Sequence, residues 1–224
     1  MIATEIDRWI LLVFPLAGYL IGSIPFGVLI GQLNGIDLRK VGSGNVGATN
    51  VTRVLGKKWG YPCFLLDVAK GALPPIIGGL MLHGQGSGVP STIQQLAWLS
   101  SACGAILGHV FNPWLKFRGG KGVATALGAT LGLFPYLTLA GVCAFTTWII
   151  VTLVSRYVSV GSIVAATSFI PFMALLNWGR MNELWPLTIF AATMMSLIVI
   201  RHRGNIKRLM NGTENKIGQG EKAA

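Results

Sequence analysis

The sequence predicts an all-α integral membrane protein, a bundle of seven transmembrane helices with a short or broken fourth span and with motif loops that face the cytoplasm. Composition is the first observation: 52% of the residues are hydrophobic and only 11% are charged, whereas globular domains contain about 25% charged residues. The second is a series of long apolar runs, and the third is the position of the basic residues between them. We expect residues 1–224 to form a single membrane-embedded domain.

The apolar runs define the spans in chain order, because a helix needs about 20 apolar residues to cross a bilayer. The runs cover residues 9–33, 61–82, 93–111, 122–154, 158–177 and 183–200. No basic segment precedes the first run and no small-residue cleavage site follows it, so we interpret it as a permanent span rather than a signal peptide.

The run 122–154 is too long for one crossing. As a single helix its 33 residues would extend about 50 Å, whereas the hydrocarbon core of a bilayer is about 30 Å thick. Pro135 lies near the middle of the run. The run therefore predicts two helices, the first of which is the short fourth span.

Basic residues lie in four places between and after the runs: residues 36–60, residues 116–121, Arg156, and the tail from Arg201 onward. Cytoplasmic loops of membrane proteins carry an excess of Lys and Arg. Seven spans place all four clusters in the cytoplasm, with the amino terminus outside and the carboxyl terminus inside. A single helix over 122–154 would place Arg156 and the tail outside.

A glycine-rich string follows the first span. Residues 41–50 contain G-S-G-N-V-G, which matches the dinucleotide fingerprint G-x-G-x-x-G and falls short of a P-loop only by Ala48 in place of lysine. A loop between two membrane spans has no room for a βαβ unit, and Ala48 cannot reach a phosphate, so NAD and ATP are not expected to bind. Glycines still allow backbone N–H groups to converge on an anion, and we predict a phosphate-binding loop rather than a simple tight turn. Its candidate ligands are Ser43, Gly44, Asn45, Thr49 and Arg53, and Asn50 is a further short neutral donor of the string.

A second string, FRGGKGVAT at residues 117–125, opens a later span. It places Gly119, Gly120 and Lys121 where the N-terminus of a helix favours an anion. His109 ends the preceding span. Taken alone, such a histidine is also typical of an interfacial residue without a substrate role.

A third string, RHRGNIKRL at residues 201–209, begins the tail. In a helix, His202 and Asn205 would share one face, although the string alone is also typical of a basic stop signal. Three such segments on one membrane face predict a single site for anionic substrates. Three histidines and three separated cysteines provide few metal ligands, so we expect no metal and no cofactor.

Asp67 and Lys70 lie three residues apart inside the second span. Each charge would cost about 2.5–3.5 kcal/mol at the centre of a bilayer. We therefore expect the two side chains to face the bundle as an ion pair, and we favour a structural role over a catalytic one.

The three strings, extended to GSGNVGATNVTR (42–53), GHVFNPWLKFRGGKGVAT (108–125) and RHRGNIKRLMNGTE (201–214), resemble the motifs of the bacterial acyl-phosphate:glycerol-3-phosphate acyltransferases, the PlsY family. The resemblance spans nearly the whole chain. It implies a seven-helix protein of the bacterial inner (plasma) membrane that transfers a fatty acyl group from acyl phosphate to the 1-hydroxyl of sn-glycerol 3-phosphate. The products would be lysophosphatidic acid and phosphate, in the first acylation step of phospholipid synthesis. The implied partners are glycerol 3-phosphate, acyl phosphate and membrane lipid, without nucleic acid, acyl-CoA, acyl carrier protein or metal.

The resemblance also implies roles for individual residues. Ser43, Arg53 and Lys121 match residues that bind the two phosphate groups of the substrates, and Asn45 belongs to the same loop. Further matches are His109, His202 and Asn205, which are polar residues of the site, Ser162, a site serine, and Glu214, which closes the third motif. We assign catalysis to His109, Lys121, His202 and Asn205. Asn112 and Lys116 depart from the family pattern, in which proline follows the histidine sooner and glycine is common at the second position.

The leaving group of an acyl phosphate is good, so positioning and electrostatic stabilisation are expected to provide most of the rate. Other glycerolipid acyltransferases often use H-x4-D, but Trp114 occupies the aspartate position. The base is therefore a histidine or a phosphate oxygen of the substrate. A phosphate-ester transporter is an alternative, but it would need polar groups across the membrane. A lipid-binding scaffold would leave the glycine loops unexplained.

Overall fold

The computed structural model describes residues 9–82 and 88–218, and this part of the chain is helical without a strand. The α-helices are α1 (Ile10–Gly22), α2 (Phe26–Leu33), α3 (Ala48–Leu55), α4 (Lys57–Leu82), α5 (Thr92–Val110), α6 (Val123–Gly132), α7 (Thr138–Ser155), α8 (Val158–Leu176), α9 (Trp185–Arg201) and α10 (Arg203–Met210). Short 3₁₀ turns cover Pro113–Leu115 and Trp178–Arg180. The 122–154 run divides into α6 and α7 on either side of Pro135, as its length predicts.

Four segments within the described residues are long and apolar enough to cross a membrane: Ile10–Leu33, which joins α1 and α2, and helices α4, α7 and α8. Helices α9 and α10, which meet at a 50° bend, make a fifth if they are counted as one span. Helix α5 is largely buried between its neighbours, and its polar Gln95 and Ser101 face the bundle. The protein is thus a multi-pass helical membrane protein, while the count of seven spans remains a prediction.

Glycines bring α1 and α5 into close contact. A Cβ atom on Gly18 or Gly22 would overlap a backbone carbonyl of α5, and one on Gly104 or Gly108 would overlap a carbonyl of α1. Small residues allow such close approach of membrane helices. This contact fixes the carboxyl end of α5, where His109 lies. The main apolar core is formed by buried residues of α5 to α9.

The break between α1 and α2 leaves carbonyl groups without helical partners. Asn112 donates to the Ser23 carbonyl at 2.5 Å, and Lys70 donates to the Ile24 carbonyl at 2.8 Å. Asn112 also accepts from the Trp114 backbone N–H at 3.1 Å and so begins the 3₁₀ turn. The departure from the family pattern at Asn112 therefore ties the second motif to α1.

The other departure, Lys116, has a left-handed backbone with φ of +51°. A left-handed conformation costs a residue with a Cβ about 1–2 kcal/mol, which explains why glycine suits this position.

We expect Lys116→Gly to stabilise the protein slightly. Glycine removes the cost of the left-handed backbone, and this gain exceeds the roughly 0.5–1 kcal/mol by which glycine stabilises the unfolded chain. The thermal midpoint should therefore rise by about 1–2 °C. The measurement is thermal unfolding in detergent. Arg118→Gly is the matched control: Arg118 is exposed but is not among the described non-glycine residues with positive φ, so its replacement should lower the midpoint. Equal shifts in both variants would contradict the explanation.

Candidate active site

A cavity of about 200 Å³ brings together all three motif segments. Its polar end is lined by the first motif loop, by Lys121 and by α10, and its apolar end lies between α7, α8 and α9. Ten of the residues predicted for the site line it: Ser43, Asn45, Thr49, Arg53, His109, Lys121, Ser162, His202, Asn205 and Glu214. The predicted residues Gly44, Gly119 and Gly120 do not line it and lie beside it.

Asn50 organises the first motif loop. Its side chain is 1% exposed. The Oδ1 atom accepts the Ser43 N–H at 2.8 Å, and Nδ2 donates to the carbonyls of Leu38 and Val41, both at 3.2 Å. One amide thus satisfies three backbone groups of the loop that holds Ser43. The sequence analysis predicted Asn50 only as a donor to the bound anion, and it did not predict that this amide holds the backbone of the loop.

The glycines of the first loop serve its backbone shape. Gly44 has φ of +68°, a conformation that side chains with a Cβ rarely adopt. Asn45 accepts the Gly47 N–H through Oδ1 at 2.9 Å. The side-chain NH₂ group of Asn45 is therefore the group that can donate to a ligand. Helix α3 begins directly after Gly47. Arg53 follows on α3 and lines the same cavity.

The second motif differs from the prediction in one respect. Its glycines were expected to present N–H groups to an anion, but Gly119 N–H donates to the Val110 carbonyl and Gly120 N–H to the His109 carbonyl, each at 3.1 Å. The Arg201 guanidinium donates to the carbonyls of both glycines at 3.1 and 3.2 Å. These glycines pack the loop against the end of α5 and so position Lys121.

Lys121 begins a chain of hydrogen bonds that reaches the tail. Its Nζ atom donates to Asn205 Oδ1 at 2.5 Å, and Asn205 Nδ2 donates to Glu214 Oε1 at 2.5 Å. Arg208 Nε pairs with Glu214 Oε2 at 2.7 Å. The second and third motifs are therefore joined directly, and the first motif meets them at the cavity.

Burial lowers the pKa of Lys121 to about 8, although the nearby Glu214 carboxylate opposes this effect. The cationic side chains of Arg208, Arg53 and Arg201 lower the pKa further. Burial raises the pKa of Glu214, but hydrogen bonds, led by that from Asn205, outweigh it and leave the pKa below its ordinary value. Three guanidinium groups and one carboxylate thus lie near the Lys121 ammonium, and this excess of positive charge favours the binding of anions.

The two histidines have different surroundings. His202 Nδ1 lies 2.8 Å from the Ile198 carbonyl. A carbonyl only accepts hydrogen bonds, so the proton of the neutral ring is on Nδ1 and the lone pair is on Nε2. His109 Nδ1 lies 3.7 Å from Asp67 Oδ1. The Nε2 atom of His202 can therefore accept a proton, whereas no hydrogen bond of this kind within the described part of the chain assigns the lone pair of His109.

The apolar end of the cavity suits a hydrocarbon chain. Phe64, Phe145 and Trp148 form a stack with centroid separations of 6.0 and 5.6 Å. On α9 the lining extends from His202 to Phe190, a distance of about 18 Å at roughly 1.5 Å per residue. Ser162 lies in this wall, where it donates to the Val158 carbonyl at 2.8 Å and accepts from Trp148 Nε1 at 3.1 Å.

Ser159 is a second lining residue that the sequence prediction missed. It is 4% exposed and lies three residues before Ser162 on α8. Side chains three apart share one face of a helix. That spacing is the signal that could have identified it once Ser162 was assigned.

Comparisons with known proteins all identify similarity to glycerol-3-phosphate acyltransferases. A family model described as glycerol-3-phosphate acyltransferase matches residues 12–212. A glycerol-3-phosphate acyltransferase of Acholeplasma laidlawii is 41% identical, over 94% of this chain and 94% of its own length. The crystal structure of PlsY, described as an integral membrane glycerol 3-phosphate acyltransferase in its glycerol 3-phosphate form, is 40% identical with a TM-score of 0.77, over 93% of this chain and 96% of that one. Its lysophosphatidic acid form gives 38% identity and a TM-score of 0.75, over 93% and 95% of the two chains.

Proposed function

Because the chain belongs to the glycerol-3-phosphate acyltransferase family, we propose that it transfers a fatty acyl group from acyl phosphate to the 1-hydroxyl of sn-glycerol 3-phosphate, releasing lysophosphatidic acid and phosphate. One observation carries the proposal: a single cavity has a cationic end built by three motifs and an apolar end between α7, α8 and α9. Such a cavity fits substrates that combine phosphate with an acyl chain. The similar crystal structure is described in a glycerol 3-phosphate form and a lysophosphatidic acid form, which correspond to the acceptor and the product of this reaction.

Acyl phosphate as the donor is supported by the charge of the cavity. Both substrates are then phosphate esters or anhydrides, and the cavity brings Arg53, Lys121 and Arg208 to one end, with Arg201 packed behind the glycines. Charge-assisted hydrogen bonds from such groups are the strong ones in proteins. They would hold two anions close together, so that the hydroxyl of one lies against the carbonyl of the other.

In the proposed reaction, the 1-hydroxyl oxygen attacks the acyl carbon and the carbon–oxygen bond to phosphate breaks. Phosphate leaves with the electron pair of that bond, and the hydroxyl proton passes to a base. Two acceptors remain: His202, through its Nε2 lone pair, and a phosphate oxygen of the substrate. Lys121 and the arginines would stabilise the charge that develops on the leaving phosphate.

The direct test combines purified protein, acyl phosphate and labelled glycerol 3-phosphate, followed by lipid extraction. Label in lysophosphatidate supports the enzyme. Label that enters sealed vesicles without acylation would support a transporter instead. Glycerol 3-phosphate or orthophosphate should also raise the thermal midpoint by mass action, whereas NAD and ATP should not.

We propose that the motif loops face the cytoplasm of a bacterial inner membrane, with the amino terminus outside. In a variant without native cysteines, a thiol at Lys58 or Asn211 should resist a membrane-impermeant reagent in intact cells. A thiol at Gly179, which is exposed between α8 and α9, should react. Reaction at Lys58 in intact cells, with none at Gly179, would reverse the orientation.

The pKa of Lys121 predicts an alkaline limit on activity. The charged form is present below a pH of about 8 and is lost as the pH rises through that value, so binding of phosphate weakens. We expect kcat/KM for glycerol 3-phosphate to fall by up to about tenfold per pH unit above this point. Arginine remains charged to a much higher pH, so Lys121→Arg should remove this limb or move it upward. An identical alkaline limb in both proteins would assign it to another group.

A further inference from the structure

Asp67 and Lys70 form the ion pair that the sequence predicts. Lys70 Nζ lies 2.7 Å from Asp67 Oδ1, and each residue is 3% exposed. Lys70 also donates to the carbonyl of Ile24, and its ammonium lies 5.5 Å from the centroid of the Phe26 ring. The pair is therefore enclosed between α4 and the α1–α2 break. A buried pair of this kind is weak support for stability, because desolvation offsets its attraction.

The carboxylate of this pair also faces the proposed active site. The same Asp67 Oδ1 atom lies 3.7 Å from His109 Nδ1. Asp67 and His109 line the main cavity, and both also line a small neighbouring cavity that includes Lys70. One oxygen thus lies between the ammonium on α4 and the imidazole on α5.

The other edge of the His109 ring packs against the second motif. A Cβ atom on Gly120 would overlap His109 Nε2, so only glycine fits beside the ring. Gly120 N–H also donates to the His109 carbonyl at 3.1 Å. The imidazole is therefore held between Asp67 on one side and the residue that precedes Lys121 on the other.

We propose that Asp67 and Lys70 are positioning residues for acyl transfer. Their pair fixes the His109 ring, and the ring holds the Gly119–Gly120 backbone so that the Lys121 ammonium meets Asn205 and the substrate phosphate. The proposal rests on the proposed function, and it gives the buried pair a role that stability alone does not explain. It also accounts for the position of a charged pair whose carboxylate lines the main cavity.

The test removes both charges together, since a single substitution leaves one buried charge unpaired and destabilises the protein. The double variant Asp67→Asn/Lys70→Met keeps similar side-chain volumes. We expect its thermal midpoint to stay near that of the unmodified protein while kcat falls at least about tenfold. An unchanged kcat would overturn the proposal and leave the pair with a structural role.

A mutant cycle then identifies the path through His109. If the pair acts through the ring, adding the double substitution to His109→Gln should lower kcat no further than His109→Gln alone, because coupled residues are not additive. Losses that multiply would overturn the proposal. Activity of the unmodified protein is the separate reference: if it forms no lysophosphatidate, the proposed function fails before the pair is tested.

A second variant keeps the proposal testable if the double variant does not accumulate. Gly120→Ala leaves the ion pair untouched and places a methyl group against His109 Nε2. We expect kcat to fall at least about tenfold with the protein still folded and inserted. A normal kcat in this variant would show that the contact between the ring and the loop does not position Lys121.

Discussion

Lys121→Ala is expected to lower kcat/KM about 10–100-fold while the protein remains folded in the membrane. The change removes an ammonium that lies 2.5 Å from Asn205 Oδ1 in the cationic end of the cavity. A charge-assisted hydrogen bond contributes about 1.5–3 kcal/mol, and each 1.36 kcal/mol corresponds to about a factor of ten. Initial rates of lysophosphatidate formation at several glycerol 3-phosphate concentrations provide the measurement.

Lys57→Ala is the matched control, since Lys57 is exposed at the start of α4 and outside the cavity. Its activity should be near that of the unmodified protein. Lys121→Arg should retain more activity than Lys121→Ala, because it restores charge without the same geometry. Near-normal turnover in Lys121→Ala would mean that the second motif is only a turn between helices.

Asn50→Ala is expected to reduce activity by about 100-fold or more. It leaves the Ser43 N–H and the carbonyls of Leu38 and Val41 without their side-chain partner. The Val41 carbonyl keeps the Gly44 N–H as a partner, but the other two groups lose theirs. A buried polar group without a partner costs about 1–3 kcal/mol, so these two groups amount to roughly 2–6 kcal/mol. The first motif loop should lose its shape, and glycerol 3-phosphate should protect the protein less against unfolding.

Asn50→Asp separates the contributions of the amide. Aspartate still accepts the Ser43 N–H, but it has no donor for the two carbonyls, so it should also be severely impaired. Asn34→Ala is the control, because the Asn34 side chain donates locally to the Ile30 carbonyl, four residues earlier, and Asn34 lies outside the cavity. An active Asn50→Ala protein would show that the loop holds its shape without this amide.

Predicted site residues that belong to continuous strings lie together in the structure. Ser43, Lys121 and Asn205 come from three separate motifs, and the structure places all of them on one cavity. Glycine content and short polar side chains are local properties, so they can be recognised before the fold is known. The sequence did not predict that Asn50 holds the loop together. Its hydrogen-bond acceptors, the carbonyls of Leu38 and Val41, come near the amide only because the loop turns back on itself.

The second motif shows the opposite case. The letters G-G-K-G indicate free N–H groups at the start of a helix, yet Gly119 and Gly120 donate to the carbonyls of Val110 and His109. Their orientation depends on how closely α5 approaches the loop. A sequence pattern does not specify how close the two segments come. Only the folded structure shows that the N–H groups of these two glycines are bonded within the protein and are not free to bind an anion.

By itself the sequence determined the membrane class, the division of the 122–154 run, the three motifs and the pairing of Asp67 with Lys70. These follow from composition, length and spacing within one helix. Only the tertiary structure decided that Asp67 lies beside His109 and that Lys121 meets Asn205, 84 residues further along the chain. Such contacts join segments that are far apart in the chain, so no local pattern specifies them and they depend on how the helices pack together.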